Sequence, residues 1–361
     1  MTIGGEYGPE LDTMIAAGMT PDIIEGYGGR MGPYAVIGIN HEEYLSEEQK
    51  ADYLNYDDLF MGGDHIPLLP WFGNYLNFTA NPDLIERAGL EVPEPWTSLS
   101  WEDYLAIGEG VKALDEGSYL SCLWALNPSG QQLMWSFYGG AGASLFEGGD
   151  YSKTTLNTPA AQEMLAEFVR MRDEGFVPSG VSGLTDDDCL ELWAQGKLAI
   201  EPFGLGYSYA IADLVKSGAL EEAWEPIPIL PPQFKDSIPP RVTGGPVIWA
   251  SIVPVTTPEE KRAVAVDFAF FMGSRPDTLH ATAILPLRQC QLDAEVASLD
   301  EQVIVDHIIA TGLADTGGLS PHYNELRQLF ADLVAATFLG TTTPAQALND
   351  FEQLGNEILA E

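Results

Sequence analysis

The chain has 361 residues, 45% of them hydrophobic, with 54 acidic against 16 basic side chains and a formal net charge of −38. That is enough apolar material for more than one packed core, and so negative a surface repels nucleic acid and anionic membranes, so neither is expected as a partner. No stretch reaches the roughly 20 apolar residues of a membrane helix; the best, residues 263–272, is broken by Asp267.

Taken in chain order, residues 1–6 have neither the basic nor the apolar region of an export signal. Residues 22–24 and 65–69 are short apolar runs with strand character. Asn81-Pro82 predicts a helix carrying Leu84, Ile85 and Ala88 and stopped by Gly89: a cap, a proline in the first turn and a glycine at the end. Ser100 with Asp103 resembles a capping box, and residues 119–126 read as a strand. Thr158-Pro159 starts a helix whose apolar face is Met164, Leu165, Phe168 and Met171. Thr185 followed by three aspartates reads as the acidic first turn of another.

Residues 198–203 are again strand-like, 226–240 read as a proline-rich surface excursion, and 246–255 as a further strand. Thr257-Pro258 and Thr343-Pro344 repeat the cap-plus-proline device, the last before the stripe Leu348, Phe351, Leu354 and Ile358. Helices and strands alternate, which predicts an α/β protein with mainly parallel sheets.

Motifs for chemistry are missing. There is no HExxH, the five histidines are scattered, and Gly196-Lys197 lacks the flanking residues of a phosphate loop. Gly183 follows Ser182 too closely for a nucleophile elbow. No catalytic residue, metal or cofactor is therefore expected. Cys122, Cys189 and Cys290 are odd in number, widely spaced and without metal-ligand spacing, and read as core residues. What remains is a set of aromatic side chains beside glycines: Tyr27 with Arg30, Trp71 with Asn74, Trp135 before Gly139-Gly140, Tyr207 after Gly206, and Trp249 after Gly244-Gly245. A sugar offers an apolar face and a rim of hydroxyls, so its site needs flat rings for the face and forked polar groups for the rim. Glycine lets the backbone come close. Trp124, Trp193 and Trp224 read as core.

Several segments resemble, in order, the maltose-binding-protein-like family 1 extracellular solute-binding proteins of ABC importers. They are residues 20–35 (TPDII then GRMGPYA), 70–89, 156–159 (LNTP), 195–204 (QGKLAI to Gly204), 244–272 and 340–348. The resemblance implies a type II periplasmic-binding-protein-like fold. Lobe 1 would be residues 1–73 and 246–288, lobe 2 residues 76–243 and 290–361, with ligand captured by hinge closure. It implies a monomer that binds a carbohydrate and works with the membrane subunits of an ABC permease outside the cytoplasm. By position, Arg30 falls on a ligand-contacting arginine of the family and Asn74 on an acidic ligand contact. Gly206 falls on a stacking tryptophan, so stacking would pass to Tyr207 or Tyr209, which argues against a maltodextrin specificity. Residues 1–3 align with the family's second strand, so its export signal, first strand and first helix are expected upstream. Alternatives are a polyamine or peptide ligand, or a carbohydrate-active hydrolase with paired carboxylates. The sequon at Asn77 falls in a predicted crossing segment, where glycosylation is not expected.

Overall fold

Several helices start in this protein where a short polar side chain takes the place of the missing helical acceptor. The computed structural model describes residues 8–54, 56, 59, 64–123, 131–146, 151–202, 211, 214–218, 224–274, 284–285, 287–293, 299–312, 314, 320 and 322–360. The elements begin α1 (Gly8–Ala16), β1 (Ile24–Tyr27), α2 (Gly28–Ala35), α3 (Glu47–Asp52), β2 (Leu69–Leu76) and β3 (Phe78–Ala80). They continue through α4 (Pro82–Arg87), α5 (Trp101–Ala113), α6 (Gln131–Ala141), α7 (Pro159–Asp173), α8 (Asp186–Ala194), β4 (Ile200–Glu201) and β5 (Ile227–Ile229). The last are β6 (Thr243–Ile252), α9 (Glu259–Gly273), β7 (Ile284–Leu285), α10 (Gln289–Asp293), α11 (Leu299–Thr311), α12 (Tyr323–Phe338) and α13 (Pro344–Leu359).

Asn81, Ser100, Thr158 and Thr343 accept from the backbone N–H three residues on, and Thr185 forms a reciprocal capping box with Asp188. Thr257 does not act as a cap: α9 opens at Pro258 with no side-chain bond, and the Thr257 hydroxyl donates instead to Asp22 O at 3.0 Å. Gly89 ends the α4 turn at φ +76°, a conformation that favours glycine.

The chain divides into two units. Unit 1 is Met1–Asn74, Gly245–Ser298 and Gly318–Asn324; unit 2 is Tyr75–Gly244, Leu299–Gly317 and Glu325–Glu361.

Unit 1 holds a four-stranded sheet in the order β1-β6-β2-β7. β1 runs antiparallel to β6, with Ile24 opposite Ile252 and Tyr27 opposite Trp249. One apolar layer gathers Leu11, Ile24, Met31, Leu68, Ala250 and Ile252; another gathers Ile39, Leu45, Ile66, Leu69 and Val253 with Val266 and Ala269 of α9. His41 joins two segments here: its Nδ1 bonds Ile66 O at 2.8 Å, and its Nε2 accepts from Val253 N–H at 3.1 Å. Burial drives the ring down to a pKa of about 4, with the nearby His65 adding to the effect and the Ile66 bond opposing it.

Unit 2 holds a three-stranded sheet, β4-β3-β5. Its core is aromatic: Phe78 meets Phe137 edge-on at 5.0 Å, and Phe137 meets Phe168 at 5.2 Å. Asn77 and Thr79 of the sequon are fully buried, so the site is closed to glycosylation.

The ladders β1·β6, β2·β7, β3·β4 and β3·β5 run antiparallel, and isolated bridges such as Tyr119 with Leu198 run parallel. The ten-residue β6 runs against β1 and takes an inner place in the unit 1 sheet. Two expectations are corrected here. The proline-rich stretch contributes β5, where Pro228 pairs with Thr79 on a sheet edge that makes no demand on the missing N–H. Cys122 and Cys189, read only as core residues, form a disulfide across 67 residues, both fully buried, while Cys290 is half-buried. Replacing both bridged cysteines by serine is expected to cost about 2–4 kcal/mol, read as a lower urea midpoint that reductant no longer affects.

Candidate functional site

The aromatic-plus-glycine positions separate into distinct environments. Trp249 sits on β6 beside the buried Ala250, yet 40% of its surface is exposed. The alternation of a strand explains it: Ala250 and Ile252 point into the apolar layer, so Trp249 and Ser251 take the other face. The register sets Tyr27 across from Trp249, and β1 passes straight into α2, whose third residue is Arg30. The Tyr27 and Arg30 side chains lie outside the described residues.

Trp71, on β2, is 8% exposed, and its indole N–H donates to Ser251 Oγ at 2.8 Å. That bond locks the ring against β6. The β2 backbone is fastened from behind. Gln291 Nε2 donates to Trp71 O at 2.6 Å and to Gly273 O at 2.7 Å, while its Oε1 accepts from the backbone of Leu287 and Arg288. Gly273 is required at this contact, since a Cβ there would come within 3.0 Å of Trp71 Cα. Asn74 follows on β2 opposite Ile284; its side chain lies outside the described residues.

In unit 2, Trp135 is not available to a ligand, contrary to its reading as a contact. It lies on α6 with 2% of its surface exposed, its ring packed on Phe330 at 4.8 Å and Tyr138 at 5.6 Å. The next residue, Ser136, shares a 2.5 Å bond with Thr243 Oγ1 at the start of β6, so α6 serves as a core helix and strand anchor. Tyr207 lies outside the described residues.

Sequence reasoning missed the polar fasteners Ser251, Gln291 and Arg288, and the buried acid Glu201. None has a local signal, because each acts through a partner 70 or more residues away in sequence. Glu201 is fully buried and accepts from Cys122 N–H at 2.6 Å. Among the described residues no group of three or more His, Cys, Asp or Glu is placed to hold a metal ion, and no helix is long and apolar enough to cross a membrane.

Solved structures match the chain over almost its whole length. An ABC transporter solute-binding protein from Thermotoga lettingae, bound with α-D-tagatose, shares 20% identity at a TM-score of 0.75, covering 98% of this chain and 89% of its own. A sugar transporter from Arthrobacter chlorophenolicus with bound laminaribiose gives 17% and 0.75, over 97% and 88%. The cyclic α-maltosyl-1,6-maltose binding protein from Arthrobacter globiformis gives 20% and 0.74, over 98% and 88%. At such identities the likeness establishes the fold, that of the type II periplasmic binding proteins. No curated protein matches the sequence. The sequence profile described as "Bacterial extracellular solute-binding protein" matches residues 2–277, well over half the chain, and the protein therefore belongs to the bacterial extracellular solute-binding proteins.

Proposed function

We propose that this protein is the substrate-binding subunit of an ABC-type carbohydrate importer, capturing a sugar or oligosaccharide for membrane permease subunits and catalysing no reaction. The observation that carries the reading is Trp249, a large side chain left 40% exposed on a strand whose next three residues are buried, in a chain of the solute-binding family. A partly exposed indole ring suits the apolar face of a sugar. The sugars named for several structural relatives agree with it. Tyr27, Arg30, Asn74 and Tyr207 are the further proposed contacts, with Trp71 as a wall held by Ser251. The protein would work as a monomer outside the cytoplasm, and the Cys122–Cys189 bridge suits an oxidising compartment.

Calorimetric titration with a panel of mono- and oligosaccharides, spermidine and short peptides tests the assignment. A micromolar sugar, equivalent to about 8 kcal/mol, is the expected result. Trp249→Ala should weaken that sugar about tenfold or more in a chain that still unfolds cooperatively. Binding of spermidine or a peptide alone, or steady turnover of a chromogenic glycoside, would overturn the carbohydrate reading.

A further inference from the structure

Residues 119–120 pair in parallel with 197–200 through backbone bonds alone: Tyr119 N–H to Lys197 O at 2.8 Å, Ala199 N–H to Tyr119 O at 3.0 Å and Ile200 N–H to Leu120 O at 2.8 Å. Beyond that point a side chain takes over. Glu201 Oε1 accepts from Cys122 N–H at 2.6 Å and from the Ser121 hydroxyl at 3.2 Å, and Ser121 Oγ accepts from Leu123 N–H at 3.3 Å. Leu123 has φ +44°, a left-handed conformation that leucine holds only when its surroundings impose it. Cys122 is also tied covalently to Cys189 of α8. A strained turn is thus pinned by one carboxyl and one disulfide.

Glu201 has no exposed surface, and its Oε2 finds no partner among the described residues. Among the described residues, Tyr104 of α5 is the titratable side chain facing it; Thr79 of β3 and Ser121 are neutral, and Cys122 is bridged. An ionised carboxylate here would have two donors and, among the described residues, no counter-cation. Burial therefore raises its pKa to about 8, against the two donor bonds that favour the charge. Once ionised, the group needs water. The least costly way to admit it is to open the strained turn at the end of the backbone pairing, not the packed core.

We propose that Glu201 is a proton-operated latch: with its proton it clamps the Ser121–Leu123 turn to β4, and on losing it the turn opens to water while the disulfide keeps the segment tethered. The test follows amide signals of the full chain by nuclear magnetic resonance from pH 6 to 9.5. The Cys122 amide should titrate once, near pH 8. Exchange at Cys122 and Leu123, corrected for intrinsic rates, should rise about tenfold or more from pH 7 to 9, while Phe168 in α7 stays protected. Glu201→Gln, an isostere of the protonated acid, should abolish both responses. A Cys122 amide without a transition up to pH 9.5, exchange that rises equally at Phe168, or an unchanged profile in Glu201→Gln would each overturn the latch. Should the variant fail to fold, the first two readouts on the unaltered chain decide alone.

Discussion

Arg288→Ala is expected to lower stability by about 2–4 kcal/mol, because it removes a buried, stacked guanidinium and strips a partly buried anion of its partner. Arg288 is fully enclosed; its Nε donates to Asp52 Oδ2 at 2.6 Å, Nη1 donates to Phe270 O at 2.7 Å, and the guanidinium lies 3.5 Å from the centre of the Phe270 ring. Asp52 also accepts from Cys290 N–H at 2.9 Å. Partial burial alone would raise the Asp52 pKa, but the Cys290 amide and the guanidinium outweigh it and hold the carboxyl below its usual range. Alanine would strip Asp52 Oδ2 of the guanidinium, leaving the Cys290 amide on Oδ1 alone, and remove a donor from the Phe270 carbonyl. Arg288→Lys should recover part of the loss, since it keeps charge but loses the fork and the stacking. Asp52→Ala in the Arg288→Ala background should cost less than the two single changes added. Urea unfolding at pH 7 measures all four. A loss under about 1 kcal/mol for Arg288→Ala would mean the pair is not what fastens this region.

Acidification should weaken the protein through His41, and in a direction fixed by its depressed pKa. The folded state keeps the ring neutral until pH falls to about 4, while the unfolded chain takes up a proton near 6.5. The stability contributed by neutral His41 is therefore complete above pH 6.5 and is lost as pH falls toward 4. The whole loss is about 3 kcal/mol, of which roughly 2 is gone by pH 5. His41→Ala removes both ring bonds and leaves Val253 N–H buried without its acceptor, while Ile66 O keeps its bond from the backbone N–H of residue 41, a cost of about 3 kcal/mol at pH 7.5. Since the variant has no ring to protonate, its deficit against the unaltered protein should shrink by about 2 kcal/mol at pH 5. A deficit of the same size at both pH values would mean that His41 titrates normally in the fold.

Local signals in the sequence marked the helix starts well, because a cap needs only a side chain and an N–H three residues away. Asn81, Ser100, Thr158, Thr185 and Thr343 all act this way. Thr257 shows the limit: a distant carbonyl, that of Asp22, competes for the same hydroxyl and wins. The site was legible in kind but not in detail. Trp135 and Trp249 have the same local cue, an aromatic ring beside glycines, and what separates them is the face each element presents to its core. Phe330 takes up the first ring, and strand alternation leaves the second open. The disulfide and the Glu201 carboxyl were illegible because apolar spacing does not reveal which distant segments meet.

The inner place of β6 in the unit 1 sheet bears on the order in which the chain acquires structure. β1 and β2 lie on either side of a strand that follows them by more than 160 residues of sequence. During synthesis they can form no sheet together until residue 252 has emerged, whereas the three strands of unit 2 and both bridged cysteines precede residue 230. Closing such long loops is slow, so the middle of the polypeptide should consolidate ahead of its beginning, and early apolar segments such as residues 66–71 depend on shielding until their partner arrives.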